Sequence, residues 1–488
     1  MQTYEQLKGG EGDLVHYRPE RFAAKDLFQQ GVPDITLGGQ PLVLQDVSIG
    51  GIGAVDHCRR DDSRDWSRRI GERVPVRLSV RGEVIHASMA EIRHCTVSAG
   101  RATIGMRLVD RHLDMTGLVE KYWESVLRGD LAFHSAPDMH LVAPEYRRLV
   151  SDTVALLRHT RRTLARMEEK IDTSGPNHQQ ITQRMLEFCE EQVVPRWREL
   201  WLEANAMLWP LMDDPARLRA TKKFTEEVLT PELVGGPIWH RGYDKPFGYP
   251  GDFLLMQQIY DNKWEGTGAY NQICHRLGVF IGEFVANRML MMKDEIADCV
   301  FDKNGEDTTH ITSLGSGPAQ EVQSYLDALS LPGSTRFTLI DQDRRALDLA
   351  HTESRRRVLQ HGGRARVDCL WTSFMQLLRP GAFLEQMPAQ DLIYSVGLID
   401  YLTDRRTSQL IERLYKHLTP GGRLVLGNVK RSAEASLWPL EFIADWSLIY
   451  RSEEDMARLA ATVPDAKREV FSDETNCVVV MRLTKPAA

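Results

Sequence analysis

The stretch His310–Asp343, HITSLGSGPAQEVQSYLDALSLPGSTRFTLIDQD, determines the fold expected for the C-terminal part of the chain. The apolar run Ile311–Leu314 ends in the turn Gly315-Ser316-Gly317-Pro318, a helical segment follows, and a second apolar run ends at Asp341. This order predicts a strand, a glycine-rich turn, a helix, a second strand and an acid at its end. Such glycines let a nucleotide-type ligand approach the main chain, and the acid can accept hydrogen bonds from a ribose diol.

The turn separates two cofactor classes. A dinucleotide-binding turn reads GxGxxG, whereas this one reads GxGxA with proline inside it, so the pyrophosphate-holding repeat is missing from this stretch. The turn resembles motif I of class I S-adenosylmethionine-dependent methyltransferases, except that Ser313 stands where many members carry an acid. The resemblance implies that S-adenosylmethionine is the cofactor. Its implied binding residues are Gly315, Ser316, Gly317, Pro318, Asp341 and Gln342. A dinucleotide enzyme and a purely structural turn are the alternatives.

Later segments extend this resemblance. Residues 418–423, LTPGGR, followed by LVLGNV, are similar to the turn and fifth strand common in class I methyltransferases. Residues 366–374 and 391–396 are the predicted third and fourth strands. In the methyltransferases that this chain resembles, the exit of the third strand flanks the adenine, which makes Ser373 and Phe374 further cofactor candidates. Gly397 is another, because it follows the fourth strand and ligands bind at the carboxyl ends of strands in an open α/β sheet. A helix over Leu440–Tyr450 and a closing strand over Asn476–Leu483 are also predicted.

Residues 237–252, PIWHRGYDKPFGYPGD, combine aromatic, glycine, proline and ionisable residues, which predicts an ordered loop or lid. Helices are predicted after it, over 253–260 and 270–298. The GYPGD end of this segment, the SLGSGPAQE turn and the GLIDYL segment at 397–402 resemble a bacterial methyltransferase group. That group comprises the extracellular-factor 3-hydroxypalmitic acid methyl ester biosynthesis proteins. The resemblance implies that a hydroxy fatty acid carboxylate is the methyl acceptor.

The type of acceptor determines which catalytic groups are needed. A carboxylate is ionised at neutral pH and needs no base, whereas a hydroxyl needs one. We expect methylation of a carboxylate on a hydroxy fatty acid or small organic acid. Tyr243, Tyr249 and Tyr401 are candidates to donate to the substrate or wall it in, and His240, Asp252 and Asp400 are the candidate bases. Each has a structural alternative, since loop tyrosines often cap carbonyls and Asp252 can cap the helix after it.

Residues 1–128 are predicted to form a small β-barrel, because alternating apolar segments recur between glycine-rich and charged turns. The segments YRPER at 17–21, DVSIGG at 46–51 and IGMRLVD at 104–110, in this order, resemble the PilZ domain, a bacterial receptor for cyclic diguanylate (cyclic di-GMP). The resemblance implies cyclic di-GMP binding by Arg18, Arg21, Asp46, Ser48 and Gly51. The first arginine of the family's RxxxR motif is replaced by Tyr17. A barrel that serves only as a docking module is the alternative.

Residues 129–235 have apolar side chains at three- and four-residue steps, which predicts a helical linker or coupling domain. The segment DTSGP at 172–176 is predicted to end one helix, and a second helix is predicted from about Gln179 to Met212, with Pro195 as a candidate kink. Its aromatic and methionine residues suit a packing core or a homodimer seam. The predicted multidomain order continues with a lid and substrate-side helices at 236–300 and an α/β Rossmann-like class I methyltransferase domain at 301–488.

The composition indicates which kinds of partner and which cellular location to expect. A net charge of −7 gives no general basic field, so a nucleic-acid partner is not expected. The sequence has no apolar run approaching the roughly 20 residues of a membrane span and no secretory signal at its start. Seven cysteines without a CxxC pair favour a reducing cytoplasm and argue against a structural metal site. Together with the two resemblances, these features favour a cytoplasmic methyltransferase that is regulated by cyclic di-GMP. The alternative is a cyclic di-GMP-responsive signalling effector whose methyltransferase fold mainly binds a partner.

Overall fold

The computed structural model describes residues 21–29, 31–56, 66–98, 101–131, 138–171, 175, 177–303, 307–328, 331–377 and 387–487. The chain forms two compact units, residues 1–137 and 138–488. Within the second unit, the helices before residue 302 share one hydrophobic core with the C-terminal sheet. The finer division at residues 129, 236 and 301 remains a prediction.

The first unit contains a closed antiparallel barrel. Its strands are β1 Phe22–Ala23, β2 Asp34–Leu37, β3 Gln40–Ser48, β4 Gly51–Asp56, β5 Arg73–Val80, β6 Glu83–Ser98 and β7 Arg101–Leu108, followed by helix α1 Met115–Leu131. The order β3-β2-β5-β6-β7-β4 closes because β4 also pairs with β3. Alternate side chains point inward, as in β5, where Val74, Val76 and Leu78 are buried. The predicted β-barrel is confirmed, and its assignment to the PilZ family remains a prediction.

Helices make up the first part of the second unit. The longer ones are α2 Pro144–Glu168, α3 His178–Leu208, α4 Pro215–Val228, α5 Pro237–Asp244, α6 Phe253–Asp261, α7 Gly268–Ile281 and α8 Glu283–Asp302. The predicted end of a helix before residue 172 and the long helix after it are confirmed. Helix α3 continues through Pro195. Its buried Trp197 stacks on Trp438 of the C-terminal part, with ring centroids 5.4 Å apart, so the helices pack directly on the α/β part.

The prediction of an irregular segment over 237–252 is wrong for its first half, which forms α5. Pro237 occupies the first turn of that helix, where a backbone N–H has no intrahelical partner, so proline is tolerated there. The helix ends at Lys245, which adopts a left-handed conformation with φ 49°. Only residues 245–252, hereafter the lid loop, are irregular. The helical stretch predicted over 270–298 divides at Gly282 into α7 and α8.

A seven-stranded sheet forms the core of the C-terminal part. Its strands are β8 Thr309–Leu314, β9 Thr335–Asp341, β10 Ala365–Trp371, β11 Gln390–Ser395, β12 Leu418–Val429, β13 Lys467–Ser472 and β14 Val478–Thr484. The spatial order is β10-β9-β8-β11-β12-β14-β13, and β14 runs antiparallel to the other six strands. Helices α9 Gln320–Ala328, α10 Arg344–Gln360, α11 Asp404–Lys416 and α12 Glu453–Leu459 complete it. The predicted Rossmann-like α/β fold is confirmed. The winding direction changes between β8 and β11, and such a switch point opens a crevice at the carboxyl ends of the strands.

Two local predictions in this part are wrong or incomplete. The helix expected over Leu440–Tyr450 is a short π-helical segment, Trp438–Ile443, which cannot continue because Asp445 has a left-handed backbone with φ 47°. Strand β13 was not predicted, since its sequence KREVFS is largely polar, as suits an edge strand that pairs only with β14. Among the helices in the described part of the chain, none is both long and apolar enough to cross a membrane.

Candidate functional site

An open cleft lies at the carboxyl ends of β8, β9 and β11. It encloses about 1060 Å³ of empty space, a figure that includes the solvent at its mouth. Five of the predicted cofactor residues line it, namely Gly315, Gly317, Asp341, Gln342 and Gly397. The fold therefore brings together residues from three separate segments of the sequence at its switch point.

The turn after β8 leaves bare main chain at the cleft. Gly315 and Gly317 adopt φ values of 64° and 52°, a region that L side chains rarely occupy. A Cβ added to Gly317 would meet no atom within 4 Å, so it would project into open space. The Gly315 amide donates to the Ile340 carbonyl at 2.8 Å, which ties the turn to β9. A ligand can thus lie against the main chain at this turn.

Asp341, at the end of β9, is joined to the same turn. One carboxylate oxygen accepts the Gly317 N–H at 2.8 Å, and the other accepts the Asp343 N–H at 2.8 Å. Burial raises the pKa of Asp341, and these two hydrogen bonds oppose that rise. Each carboxylate oxygen has a second lone pair, so Asp341 can still accept hydroxyl groups from a ligand.

The remaining cofactor candidates lie around the cleft without lining it. Ser316 is buried and its hydroxyl has no hydrogen-bond partner among the described residues. The Pro318 carbonyl accepts a hydrogen bond from Gln323 at 2.6 Å. The Ser373 amide donates to Gln376 at 3.1 Å, and its neighbour Thr372 lines the cleft. Phe374 begins a short helix, and its side chain lies outside the described part. The roles of these four residues remain predictions.

The lid loop is attached to the segment that follows β9. The Tyr249 hydroxyl donates to the Asp343 carboxylate at 2.8 Å, and Tyr249 also lines the cleft. Asp343 pairs with Arg345 at 2.7 Å and caps helix α10 through the Arg345 N–H. The Arg345 guanidinium lies 3.6 Å from the ring centroid of Phe247 in the lid loop. Burial, with Asp343 beside it, raises the pKa of Tyr249, so its hydroxyl stays protonated.

Arg288 and Asp400 form a charged pair in the cleft that no sequence pattern had linked. An Arg288 nitrogen lies 4.0 Å from an Asp400 oxygen, and both side chains are largely buried. Burial raises the pKa of Asp400 to about 6, although Arg288 and a hydrogen bond from the Val429 N–H oppose that rise. The sequence does contain a signal for Arg288. It lies four residues from both Phe284 and Met292, on the buried stripe of α8, where a charge is unusual.

Only two of the four proposed catalytic residues, Tyr249 and Tyr401, line the cleft. Tyr401 lines the cleft with Tyr249, and its oxygen accepts the Trp446 indole N–H at 2.9 Å, so its own hydrogen can be donated. Asp252 is buried, pairs with Arg241 at 2.7 Å and caps α6 through two amides, as its structural alternative anticipated. His240 is exposed and faces Asp244 at 3.1 Å. Neither Asp252 nor His240 lines the cleft, and their catalytic roles remain predictions.

The barrel brings together four of the five residues in the predicted cyclic di-GMP site, whereas Arg18 lies outside the described residues. An Arg21 nitrogen is 3.1 Å from an Asp46 oxygen. The Ser48 hydroxyl donates to the Gly51 carbonyl at 3.1 Å. A Cβ on Gly51 would lie 2.6 Å from the Met106 carbonyl and 3.4 Å from the Arg21 guanidinium. Glycine is therefore needed at position 51 for close strand packing.

No protein-family model matches the chain, and no curated protein matches it significantly. Solved structures that are similar to parts of this chain include the following three. A possible exported protein from Bordetella parapertussis is 16% identical, with 60% of this chain and 97% of that chain covered and a TM-score of 0.38. Magnesium protoporphyrin IX methyltransferase from Synechocystis PCC 6803, with bound SAH, is 14% identical, with coverages of 50% and 98% and a TM-score of 0.34. Human N-acetylserotonin methyltransferase, in complex with SAM, is 13% identical, with coverages of 59% and 70% and a TM-score of 0.31. Identities and TM-scores this low do not establish an activity for this chain.

Proposed function

We propose that this chain is an S-adenosylmethionine-dependent O-methyltransferase acting on the carboxylate of a hydroxy fatty acid or a small organic acid. The observation that carries the proposal is the hydrogen bond between Gly317 and Asp341 at the switch point of the sheet. It joins a turn, whose glycines expose the main chain, to a carboxylate that can accept hydroxyl groups, and both face one cleft. An adenosine-containing ligand requires this arrangement.

The residues present fit this cofactor. Gly315 and Gly317 provide main chain that a ligand can approach, Asp341 can accept ribose hydroxyls, and Gln342 and Gly397 line the neighbouring walls. When bound, S-adenosylmethionine supplies an electrophilic methyl group. The task of the chain is then to align the acceptor and exclude water, and alignment can supply up to roughly 7–11 kcal/mol.

A carboxylate acceptor suits the polar groups of the cleft. Arg288 is the cationic side chain among the described lining residues, and the Tyr401 hydroxyl can donate a hydrogen bond. Both groups favour an anion that is already a nucleophile at neutral pH. A hydroxyl acceptor would need a base, and Asp400 is the carboxylate beside Arg288 that could accept its proton.

Calorimetry tests cofactor binding directly. We expect S-adenosylmethionine to bind the wild-type chain with micromolar affinity. The affinity should fall about 10- to 100-fold in Asp341→Ala and stay unchanged in Asp348→Ala, which changes an exposed aspartate on α10. No binding by the wild-type protein would refute the proposal. The product then identifies the acceptor group, because mild alkali releases methanol from a methyl ester and not from a methyl ether.

The barrel is proposed to bind cyclic di-GMP and to regulate the methyltransferase. Arg21 supports this, since its guanidinium lies beside Asp46 on a partly exposed face and can bond phosphate or stack on guanine. Arg21→Ala should weaken cyclic di-GMP binding at least tenfold, whereas Arg93→Ala, which removes an exposed barrel arginine paired with Glu91, should not. Equal affinities in the two variants would contradict this site.

A second candidate function is a cyclic di-GMP-responsive effector whose α/β part binds a partner. The paired Arg21 and Asp46 on the barrel favour it independently of the cleft. The same calorimetry separates the two functions, because an effector would bind cyclic di-GMP and not S-adenosylmethionine.

A homodimer through the helical part is also proposed, since Ile181 and Phe188 on α3 are more than half exposed. Sedimentation of wild type and Phe188→Glu would test it, with a monomeric variant expected.

A further inference from the structure

A second cavity adjoins the cofactor cleft. About 440 Å³ of empty space, a figure that includes open solvent, lies between α5, α6, α7 and α8. Phe284, Val285, Leu440 and Trp446 line both spaces, so the two spaces share one wall. The lid loop packs closely on this wall, because a Cβ on Gly251 would lie 2.2 Å from the Trp446 ring.

The walls of this cavity are mainly apolar. Among the described residues that line it, none carries a charged side chain. Its two indoles already use their N–H groups, since Trp239 donates to the Cys274 carbonyl at 2.8 Å and Trp446 donates to Tyr401 at 2.9 Å. A polar ligand group would therefore lose its hydrogen bonds with water and gain none here. The cavity suits an aliphatic group.

Three glycines line the cavity, and packing explains two of them. A Cβ on Gly278 would lie 2.3 Å from Ile238, and one on Gly282 would lie 2.7 Å from Ile259, so larger residues would clash. A Cβ on Gly242 would instead make ordinary contacts of 3.6 Å with Leu255 and 3.8 Å with Ala444. Gly242 lies inside α5, where glycine is less stable than alanine. Neither packing nor helix stability accounts for glycine at 242, whereas keeping the cavity open does.

We propose that this cavity receives an aliphatic segment of the methyl acceptor, and that Gly242 sets how deeply the segment enters. This inference rests on the proposed methyltransferase function and selects the fatty acid over the small organic acid. The acidic end of the acceptor remains in the cleft near Arg288, and the chain passes the side chains shared by the two spaces. Gly242 is thus a specificity-determining residue.

The test titrates straight-chain alkanoates, from butanoate to dodecanoate, into the full-length protein saturated with S-adenosylhomocysteine, a non-reactive probe. Affinity should rise about fourfold for each added methylene, as expected for apolar burial, until the cavity is full. In Gly242→Leu the rise should stop at a shorter chain. Ala444→Leu fills the same cavity from another wall and should act likewise. Gly242→Ala is the matched control. It should raise Tm, and among the three variants it should least reduce the chain length at which affinity stops rising.

The outcomes separate this inference from the proposed function. Failure of the wild-type protein to bind S-adenosylhomocysteine refutes the methyltransferase proposal. Normal binding of that probe, combined with alkanoate affinity that is absent or independent of chain length, overturns the cavity assignment. The assignment is also overturned if both leucine variants keep the wild-type length dependence, because the cavity would then be a packing defect. If neither leucine variant folds, the wild-type chain-length series decides alone.

Discussion

The Asp341 carboxylate accepts the Gly317 N–H at 2.8 Å, so the acid after β9 and the turn after β8 hold each other in place. The side chain that would grip a ribose also fixes the main chain on which the ligand would lie. Substitution of either residue should therefore change both cofactor affinity and local stability.

Asp341→Ala should lower S-adenosylmethionine affinity about 10- to 100-fold, since hydrogen bonds to a charged group contribute about 1.5–3 kcal/mol. It should also lower the free energy of unfolding by about 2 kcal/mol, because the Gly317 and Asp343 amides lose their acceptor. Asp341→Asn, which keeps one carbonyl acceptor, should fall between alanine and wild type. Calorimetry and urea denaturation measure the two effects, and an alanine variant that binds as wild type would contradict the role of Asp341.

Gly317→Ala and Gly362→Ala form a matched pair. Both glycines have positive φ, 52° and 57°, and a Cβ at either would meet no atom within 4 Å. Each substitution should therefore lower the free energy of unfolding by a similar amount, about 1 kcal/mol. Only Gly317→Ala should also weaken cofactor binding, because Gly362 lies in the turn after α10 and does not line the cleft. Equal cofactor affinities in the two variants would show that the turn does not contact the ligand.

Tyr249→Phe tests the attachment of the lid loop. It removes the hydroxyl that donates to Asp343 and leaves the ring in place. We expect cofactor affinity to fall about tenfold or more, mainly through faster dissociation, because a hydrogen bond to a carboxylate contributes about 1.5–3 kcal/mol. Stopped-flow release of S-adenosylhomocysteine measures this rate. Tyr415→Phe is the matched control, because it removes a hydroxyl that donates to Asp465 away from the cleft, and it should release at the wild-type rate.

Asp400 gives a pH dependence with a defined sign. Burial raises its pKa from 3.8 to about 6, so the folded state binds a proton that the unfolded state releases. The free energy of unfolding should therefore fall as pH rises from about 4 to 6, by up to about 3 kcal/mol at about 1.4 kcal/mol per pKa unit. Asp400→Asn keeps the acceptor for Val429 and removes the titration. The variant should thus gain stability relative to wild type across this window, and a constant difference would contradict the assignment.

The sequence predicted what depends on local pattern. The Ile311–Leu314 strand, the glycine turn and Asp341 were found because apolar runs and glycines mark them directly. The sequence pattern does not indicate helix α5, because a high density of proline and glycine is typical of irregular structure, although Pro237 lies where a helix accepts proline. The remaining features depend on tertiary contacts between residues that lie far apart in the sequence. The buried pair of Arg288 and Asp400 joins residues 112 positions apart, and no local periodicity shows that α8 faces the end of β11.

A crystal structure of the full-length protein with S-adenosylhomocysteine would test the proposed cofactor site without any intermediate assumption. We predict that the ligand's ribose hydroxyls lie within hydrogen-bonding distance of the Asp341 carboxylate and that its amino-acid chain runs along Gly315 and Gly317. Ligand bound elsewhere, or a cleft beside Asp341 that stays closed to the ligand at saturating concentration, would contradict the proposed site.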